Sequence, residues 1–192
     1  MSFKELLLQT RSYRRFDQGR PVSLDTLREL VDLARQAASG SNIQPLKYIL
    51  SADADTNARI FPCTRWAGYL KDWAGPAKGE RPAAYIIILG DTELRREFST
   101  DLGIAAQTIM LGATERGLGG CMIGSIDRPA LRDILQVRER YEILLLLALG
   151  KPAETVVLEP VGPDGSIRYY RDGDDVHHVP KRSLKEIIVS TY

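Results

Sequence analysis

Two uninterrupted apolar runs constrain the fold of this chain more than any other feature. Residues 83–89 read AAYIIIL and residues 143–149 read ILLLLAL, so neither run alternates between polar and apolar side chains. Alternation would indicate a strand with one face in solvent, whereas continuous apolar runs of this length predict strands that are buried on both faces. We therefore expect a central sheet whose inner strands are covered from both sides.

The segments around these strands carry helix signals. Residues 23–38 repeat apolar side chains at helical spacing and begin with Ser23, a residue type that caps helices well. Residues 101–116 predict a second helix that is apolar almost all round, which indicates a central position or a subunit interface. A strand is predicted at 46–51, and a further helix follows Asp127.

Composition excludes several classes of protein. The 26 basic and 25 acidic residues nearly cancel, so nothing favours nucleic acid or a membrane surface as a partner. Cys63 and Cys121 are the only cysteines, too few for a disulfide framework. No apolar stretch is long enough to span a bilayer, and the N-terminal one is too short for a signal peptide. We expect one cytoplasmic domain over residues 1–192.

A basic cluster follows a short apolar helix pattern near the start of the chain. Residues 11–16 read RSYRRF, which places three guanidinium groups and a serine hydroxyl within five positions. Arginine donors match phosphate oxygens and stay charged at any working pH. The cluster is either a phosphate-binding site or an ordinary solvated surface.

A second polar cluster lies where the first long helix ends and a strand begins. Residues 37–50 read AASGSNIQPLKYIL. Small residues let a ligand approach the backbone, and amide and hydroxyl side chains offer neutral donors and acceptors. This segment is either a plain polar loop or a binding loop for a planar polar ring such as a flavin. The order of basic cluster, helix, amide-bearing loop and strand favours the binding loop.

Taken together, these segments resemble the nitroreductase family of FMN-dependent oxidoreductases. The resemblance rests on Arg11-Ser12-x-Arg14-x-Phe16 followed by Ser39-Gly40-Ser41-Asn42-x-Gln44-Pro45. It extends through Asp101–Gly124, Gly150-Lys151-Pro152 and the C-terminal segment from Val179 to Leu184. It implies an α+β fold with a central, mostly antiparallel sheet flanked by helices. It also implies a homodimer in which the C-terminal arms, here residues 153–192, are exchanged.

The resemblance also implies which residues bind the cofactor. It assigns the FMN phosphate to Arg11, Ser12, Arg14 and one of the pair Lys181 and Arg182. It assigns the ring and ribityl contacts to Asn42 and Gln44, with Ser39 and Gly40 closing over the ring, and it turns Ile123 and Gly124 toward the isoalloxazine. Some relatives carry a glutamate where Ile123 stands. In family members the amide-bearing loop often comes from the other subunit.

The activity implied is hydride transfer from NAD(P)H through the flavin to nitroaromatics, quinones or similar acceptors, in a ping-pong cycle. No catalytic side chain is expected, because the flavin carries the chemistry. No metal is expected either, since His177 and His178 have no third ligand at a suitable spacing. Two alternatives stay open: a flavin-binding or electron-transfer module without turnover, and a flavin-modifying or dehalogenating relative.

Residues 52–82 correspond to a region of variable length in the family. Within it Trp66, Tyr69, Leu70 and Trp73 fall at i, i+3, i+4 and i+7, which predicts one face of a short helix. That face either packs into the core or forms a lid that lines the substrate pocket with Trp66, Tyr69 and Trp73. Residues 153–180 show no clear periodicity, which favours an arm that reaches over a partner subunit.

Overall fold

A computed structural model describes all residues from Met1 to Tyr192. Its contacts group the chain into two compact units. The first comprises residues 1–66 and 74–153, and the second comprises residues 67–73 and 154–192. The prediction of one FMN-binding domain over residues 1–192 stays a prediction.

The centre of the first unit is a five-stranded sheet. Its strands are β1 Phe16–Asp17, β2 Leu46–Ser51, β3 Ala84–Asp91, β4 Gly119–Ile123 and β5 Tyr141–Pro152. The order is β2-β3-β5, with β4 on the other side of β5 and β1 at the end of β5, and every pairing is antiparallel. The two apolar runs form β3 and β5, and all residues of β3 are buried, so the prediction of inner strands is confirmed.

The first unit also contains five helices, and they are α1 Phe3–Gln9, α2 Leu24–Gln36, α3 Ala54–Ile60, α4 Ser99–Glu115 and α5 Arg128–Leu135. The predicted cap of α2 is present, because Ser23 Oγ accepts a hydrogen bond from the amide of Thr26 at 3.0 Å. Helix α4 packs against α2 so closely that a Cβ on Gly112 would lie 2.6 Å from Leu33. The main core forms where α2 and α4 meet β3 and β5. None of the helices is both long and apolar enough to cross a membrane.

The second unit contains a small sheet of its own. It consists of β6 Val156–Pro160, β7 Tyr170–Arg171 and β8 His177–Lys181, followed by the short helix α6 Leu184–Ile187. Strand β8 lies in the middle, parallel to β6 and antiparallel to β7. The segment 153–180 thus contains strands although its sequence shows no clear periodicity, and the prediction that it reaches over a partner subunit stays a prediction. These strands have two to five residues, too few to display a period in the sequence.

Ionic contacts, one of them buried, hold this small sheet together in place of a large apolar core. The side chain of Glu154 is 1% exposed and accepts a hydrogen bond from Arg171 Nη2 at 2.9 Å. His178 lies between two carboxylates, with Nδ1 2.9 Å from Glu159 and Nε2 2.9 Å from Asp172. Its ring stacks on Tyr170 at 4.7 Å. Both carboxylates raise the pKa of His178, Asp172 by the larger amount.

The predicted helix over Trp66–Trp73 is not formed, so that prediction is wrong. The segment makes consecutive turns instead, with the amide of Leu70 donating to Ala67 at 2.8 Å and that of Trp73 to Leu70 at 3.1 Å. Ala67 has a φ of 41°, which interrupts any right-handed helix. Side-chain contacts outweigh the helical spacing here, because each aromatic ring is fixed by a different partner.

Candidate functional site

The basic cluster contains a partly buried cation with unused hydrogen-bonding capacity. Arg11 follows α1, and its Nη2 donates to the carbonyl of Leu7 at 2.7 Å. Its Nε is buried and has no hydrogen-bond partner. Burial lowers the pKa of the Arg11 guanidinium, which nonetheless remains charged. A desolvated cation beside the exposed hydroxyl of Ser12 is an arrangement that favours a bound anion.

The same cluster is attached to the first residues of β4. Ser12 forms a parallel bridge with Gly120, and the amide of Tyr13 donates to the Gly120 carbonyl at 2.9 Å. Arg14 is buried, and its Nη1 donates to the carbonyl of Ser12 at 3.1 Å. Pairing with β4 therefore fixes the position of all three candidate phosphate ligands, Arg11, Ser12 and Arg14.

The end of β4 presents its backbone more than its side chains. Ile123 is buried and Gly124 is exposed, so a ligand at this position would meet main-chain atoms. Cys121 is buried, whereas Met122 is 37% exposed. Strand alternation explains the difference, because Cys121 and Ile123 point to one face and Met122 to the other.

The amide-bearing loop adopts an unusual backbone. Ser41, Asn42 and Gln44 have φ values of 52°, 55° and 54°, a left-handed conformation that costs roughly 1–3 kcal/mol for each residue other than glycine. The loop is closed by the amide of Gln44 donating to Ser39 Oγ at 2.9 Å. Gln44 Nε2 also donates to Asn42 Oδ1 at 3.1 Å, which joins the two candidate ring ligands.

Asp101 holds the loop in place, a role that we did not predict from the sequence. Its Oδ1 accepts a hydrogen bond from the amide of Gly40 at 2.7 Å. The residue is 5% exposed, and Oδ2 is buried without a partner. An acidic residue at the start of an otherwise apolar helix is the one signal in the sequence that pointed to it.

A cavity of about 470 Å³ borders this loop between α2, β2 and α4. Ser39 and Gln44 line it together with Asp101 and Tyr48. Burial and the nearby charge of Asp101 raise the pKa of Tyr48 to about 12. Ser39 and Gln44 thus face open space and remain available to a ligand or a second chain.

Within one chain the basic cluster and the amide-bearing loop lie far apart. Thr10, next to the basic cluster, hydrogen-bonds Thr114 near the end of α4, whereas Gly40 bonds Asp101 near its start. Thr114 follows Asp101 by thirteen residues on α4, so these two contact points lie about 20 Å apart along the helix. The loop also leads into β2, on the edge of the sheet opposite to β4, three strand spacings or about 14 Å away. Buried strands β3 and β5 lie between them.

The remaining predicted site residues are distributed over both units. In the first, Trp66 is 8% exposed, and its indole N–H donates to Thr64 Oγ1 at 2.9 Å, which favours the core role for this ring. In the second, the Tyr69 ring lies 4.8 Å from Tyr169, and the Arg171 guanidinium lies 4.3 Å from the Trp73 ring.

The predicted basic pair at the C-terminus also belongs to the second unit. Lys181 ends β8 with its side chain exposed, and its carbonyl accepts a hydrogen bond from Val161 at 3.0 Å. Arg182 lies 3.6 Å from Glu186. Both cations are therefore accessible at the surface of this unit.

Comparison with known proteins identifies the family. The model of the nitroreductase family matches residues 7–151, so this chain belongs to the nitroreductase family. MhqN from Bacillus subtilis is 21% identical over 190 residues, covering 78% of this chain and 88% of that protein. A Vibrio harveyi protein named NADPH-flavin oxidoreductase is 24% identical over 173 residues, covering 81% of this chain and 68% of that protein.

The solved structures agree on the fold. A Desulfovibrio desulfuricans protein crystallised in complex with FMN superposes with a TM-score of 0.71 at 22% identity, covering 98% of this chain and 96% of that chain. The predicted α+β fold, an antiparallel sheet flanked by helices, is thereby confirmed, as is the resemblance found in the sequence.

Proposed function

We propose that this chain is an FMN-dependent oxidoreductase that passes a hydride from NAD(P)H to nitroaromatic, quinone or similar acceptors. The observation that carries the proposal is the desolvated Arg11 guanidinium, whose buried Nε lacks a partner beside the exposed hydroxyl of Ser12. The FMN-bound structural neighbour and the relative named as a flavin oxidoreductase support the choice of anion.

The basic cluster would bind the cofactor phosphate. Arg11, Ser12 and Arg14 supply cationic and hydroxyl donors, and Lys181 or Arg182 would add a further positive charge. A phosphate monoester carries nearly two negative charges, so binding it would offset the cost of holding Arg11 out of water. The contact with Leu7 uses Nη2, so it leaves Nε without a hydrogen-bond partner in the chain.

The isoalloxazine would then lie against the backbone of Ile123 and Gly124. Bound FMN supplies the hydride-accepting and hydride-donating chemistry, and the chain positions it. Asn42 and Gln44, with Ser39 and Gly40, would contact the ring from a second copy of the chain, because their own copy holds them at the opposite edge of the sheet. We therefore propose a homodimer with two shared sites.

Two aromatic residues are the candidates for the wall of the acceptor pocket. They are Tyr69 and Trp73, whereas Trp66 is 8% exposed and is buried in the first unit. Donor and acceptor would use the same space in turn, which gives ping-pong kinetics. No side chain is proposed to act as an acid, base or nucleophile.

The test is the cofactor itself. The purified protein should be yellow, and NADH or NADPH should bleach the flavin in the absence of oxygen. Flavin that is retained but never bleached would favour a binding module without turnover. A colourless protein that takes up no added FMN would refute the proposal. Arg11→Ala should release FMN, whereas Arg28→Ala, which removes an exposed cation paired with Asp25 at 2.8 Å, should not.

A further inference from the structure

A second, smaller cavity lies at the other edge of the sheet from β4. It has a volume of about 160 Å³ and is bordered by the end of β2, the start of β3 and one side of α3. Its wall combines apolar side chains, among them Ala52, Phe61 and Pro82, with the polar side chains of Gln18 and Asn57. One cationic side chain, Arg81, lines it, and no acidic residue does.

The flat face of the Arg81 guanidinium packs against the wall, and this leaves the N–H groups along its edge without a hydrogen-bond partner. The guanidinium carbon lies 4.1 Å from the centroid of the Phe61 ring, a cation–π contact. The Nε atom is buried and has no hydrogen-bond partner. All five donors of a guanidinium lie in its plane, so stacking on Phe61 leaves them free for an acceptor beside the ring.

The neighbouring polar side chains do not provide that acceptor. Asn57 Nδ2 donates to the carbonyl of Ala83 at 2.8 Å, and Asn57 Oδ1 accepts from Ser51 at 2.7 Å. Gln18 Oε1 accepts from the amide of Gly79 at 2.8 Å. The cavity therefore combines apolar and neutral polar side chains with one positive charge that forms no ion pair within the chain.

We propose that this cavity binds a small organic carboxylate, with its two oxygens along the edge of Arg81 and its apolar part against the alanine and proline wall. A carboxylate matches the guanidinium fork in shape and charge. A dianion such as phosphate fits less well, because the single cation leaves half of its charge unpaired. The volume is below that of sites for drug-sized ligands, so the ligand has only a few heavy atoms.

This site is separate from the flavin contacts proposed for β4. Ser51 pairs with Tyr85, Tyr85 with Ala148, and Ala148 with Cys121, which are three strand spacings or about 14 Å across the sheet. A carboxylate at Arg81 would therefore leave the β4 backbone free. Binding here and flavin reduction can be tested independently of each other.

The experiment is an NMR titration of the FMN-loaded protein with sodium isobutyrate at constant ionic strength, set with chloride. The backbone amides of Phe61 and Ala83 and the Nε–H of Arg81 should shift in a saturable manner. Inorganic phosphate should bind at least about tenfold more weakly, since one cation cannot neutralise it.

Three variants decide the assignment. Arg81→Gln removes the charge and should weaken isobutyrate binding about tenfold or more, the loss expected for a charge-assisted hydrogen bond. Ala58→Leu keeps Arg81 but fills part of the cavity, and it should weaken binding without removing the cation. Arg59→Gln removes an exposed cation from α3, the helix that also carries Ala58. This variant should bind isobutyrate as the wild type does. Equal affinity in the Arg81 and Arg59 variants, or phosphate binding as tightly as isobutyrate, would overturn the proposal.

Discussion

The shared flavin site predicts a specific pattern of cofactor loss in mixed dimers. Two sets of substitutions are needed, one for each half of the proposed site. Arg11→Ala removes the phosphate half. Asn42→Gly combined with Gln44→Gly removes both loop amides, and glycine keeps the positive φ values of 55° and 54° without strain.

The size of each effect follows from the contacts removed. Loss of a charge-assisted hydrogen bond at Arg11 should cost about 1.5–3 kcal/mol, or about 10- to 150-fold in FMN affinity. Loss of two neutral amide contacts should cost about 1–3 kcal/mol together. Each change alone should leave a homodimer with about a third or less of the wild-type FMN when FMN is supplied near the wild-type dissociation constant.

The assay uses heterodimers purified by two different affinity tags. In the trans pair, one chain carries Arg11→Ala and the other carries the two loop substitutions. One site then collects all the substitutions and the other collects none, so about half of the sites should retain FMN. In the cis pair, one chain carries every substitution and its partner is wild type. Each site then lacks one half, and little FMN should remain.

The opposite outcome would refute the shared site. If the basic cluster and the loop of the same chain bound one FMN, the cis pair would keep half of its flavin and the trans pair would lose nearly all of it. The 20 Å between the two contacts on α4, calculated at about 1.5 Å per residue, is the reason to expect the first pattern. Flavin absorbance of the two purified heterodimers distinguishes the patterns directly.

Three further predictions concern stability and local motion. Gly120→Ala should lower the free energy of unfolding by about 1–3 kcal/mol, because a Cβ there would lie 2.7 Å from a main-chain carbonyl oxygen of β5. Thermal melts should show this loss. The control is Gly124→Ala, since a Cβ at that position has no atom nearer than 4.0 Å. The pKa of His178 is raised in the folded protein, so its two ionic contacts stabilise the small sheet fully below the ordinary histidine pKa of 6.5. This stabilisation is lost as the pH rises through the pKa of His178 in the folded protein. Amide exchange in β8, corrected for intrinsic rate, should therefore accelerate with pH in the wild type but not in His178→Gln. Asp101→Asn should weaken the hydrogen bond to Gly40 by about 1 kcal/mol, so the loop amides should exchange faster while those in the middle of α4 do not change.

The local sequence was sufficient to predict the strands and the helix whose sequence signals all agree. The apolar runs of β3 and β5 allow no exposed face, and the cap and stripe of α2 agree with each other, so both strands and the helix were placed correctly. The candidate residues of the basic cluster and the loop also follow from residue type and order, although their separation in one chain does not. That separation depends on strand order, which no local pattern encodes.

The errors occur where long-range contacts decide the local structure. The aromatic side chains at positions 66, 69 and 73 have helical spacing, but a hydrogen bond to Thr64, a ring contact with Tyr169 and the guanidinium of Arg171 hold them in successive turns. The strands of the second unit are likewise fixed by ionic pairs between residues 6 to 19 positions apart. The role of Asp101 depends on a contact with Gly40, 61 positions away in the chain, which no local pattern predicts.

The placement of β2 and β4 at opposite edges of one sheet has a consequence for how the protein behaves on dilution. If each flavin needs one edge from each of two copies, a separated subunit has no complete site to offer. Cofactor loss would then follow subunit dissociation, and activity per molecule would fall once the protein concentration drops below the dissociation constant of the pair. The strength of the subunit contact would thus set the lowest concentration at which the protein can work.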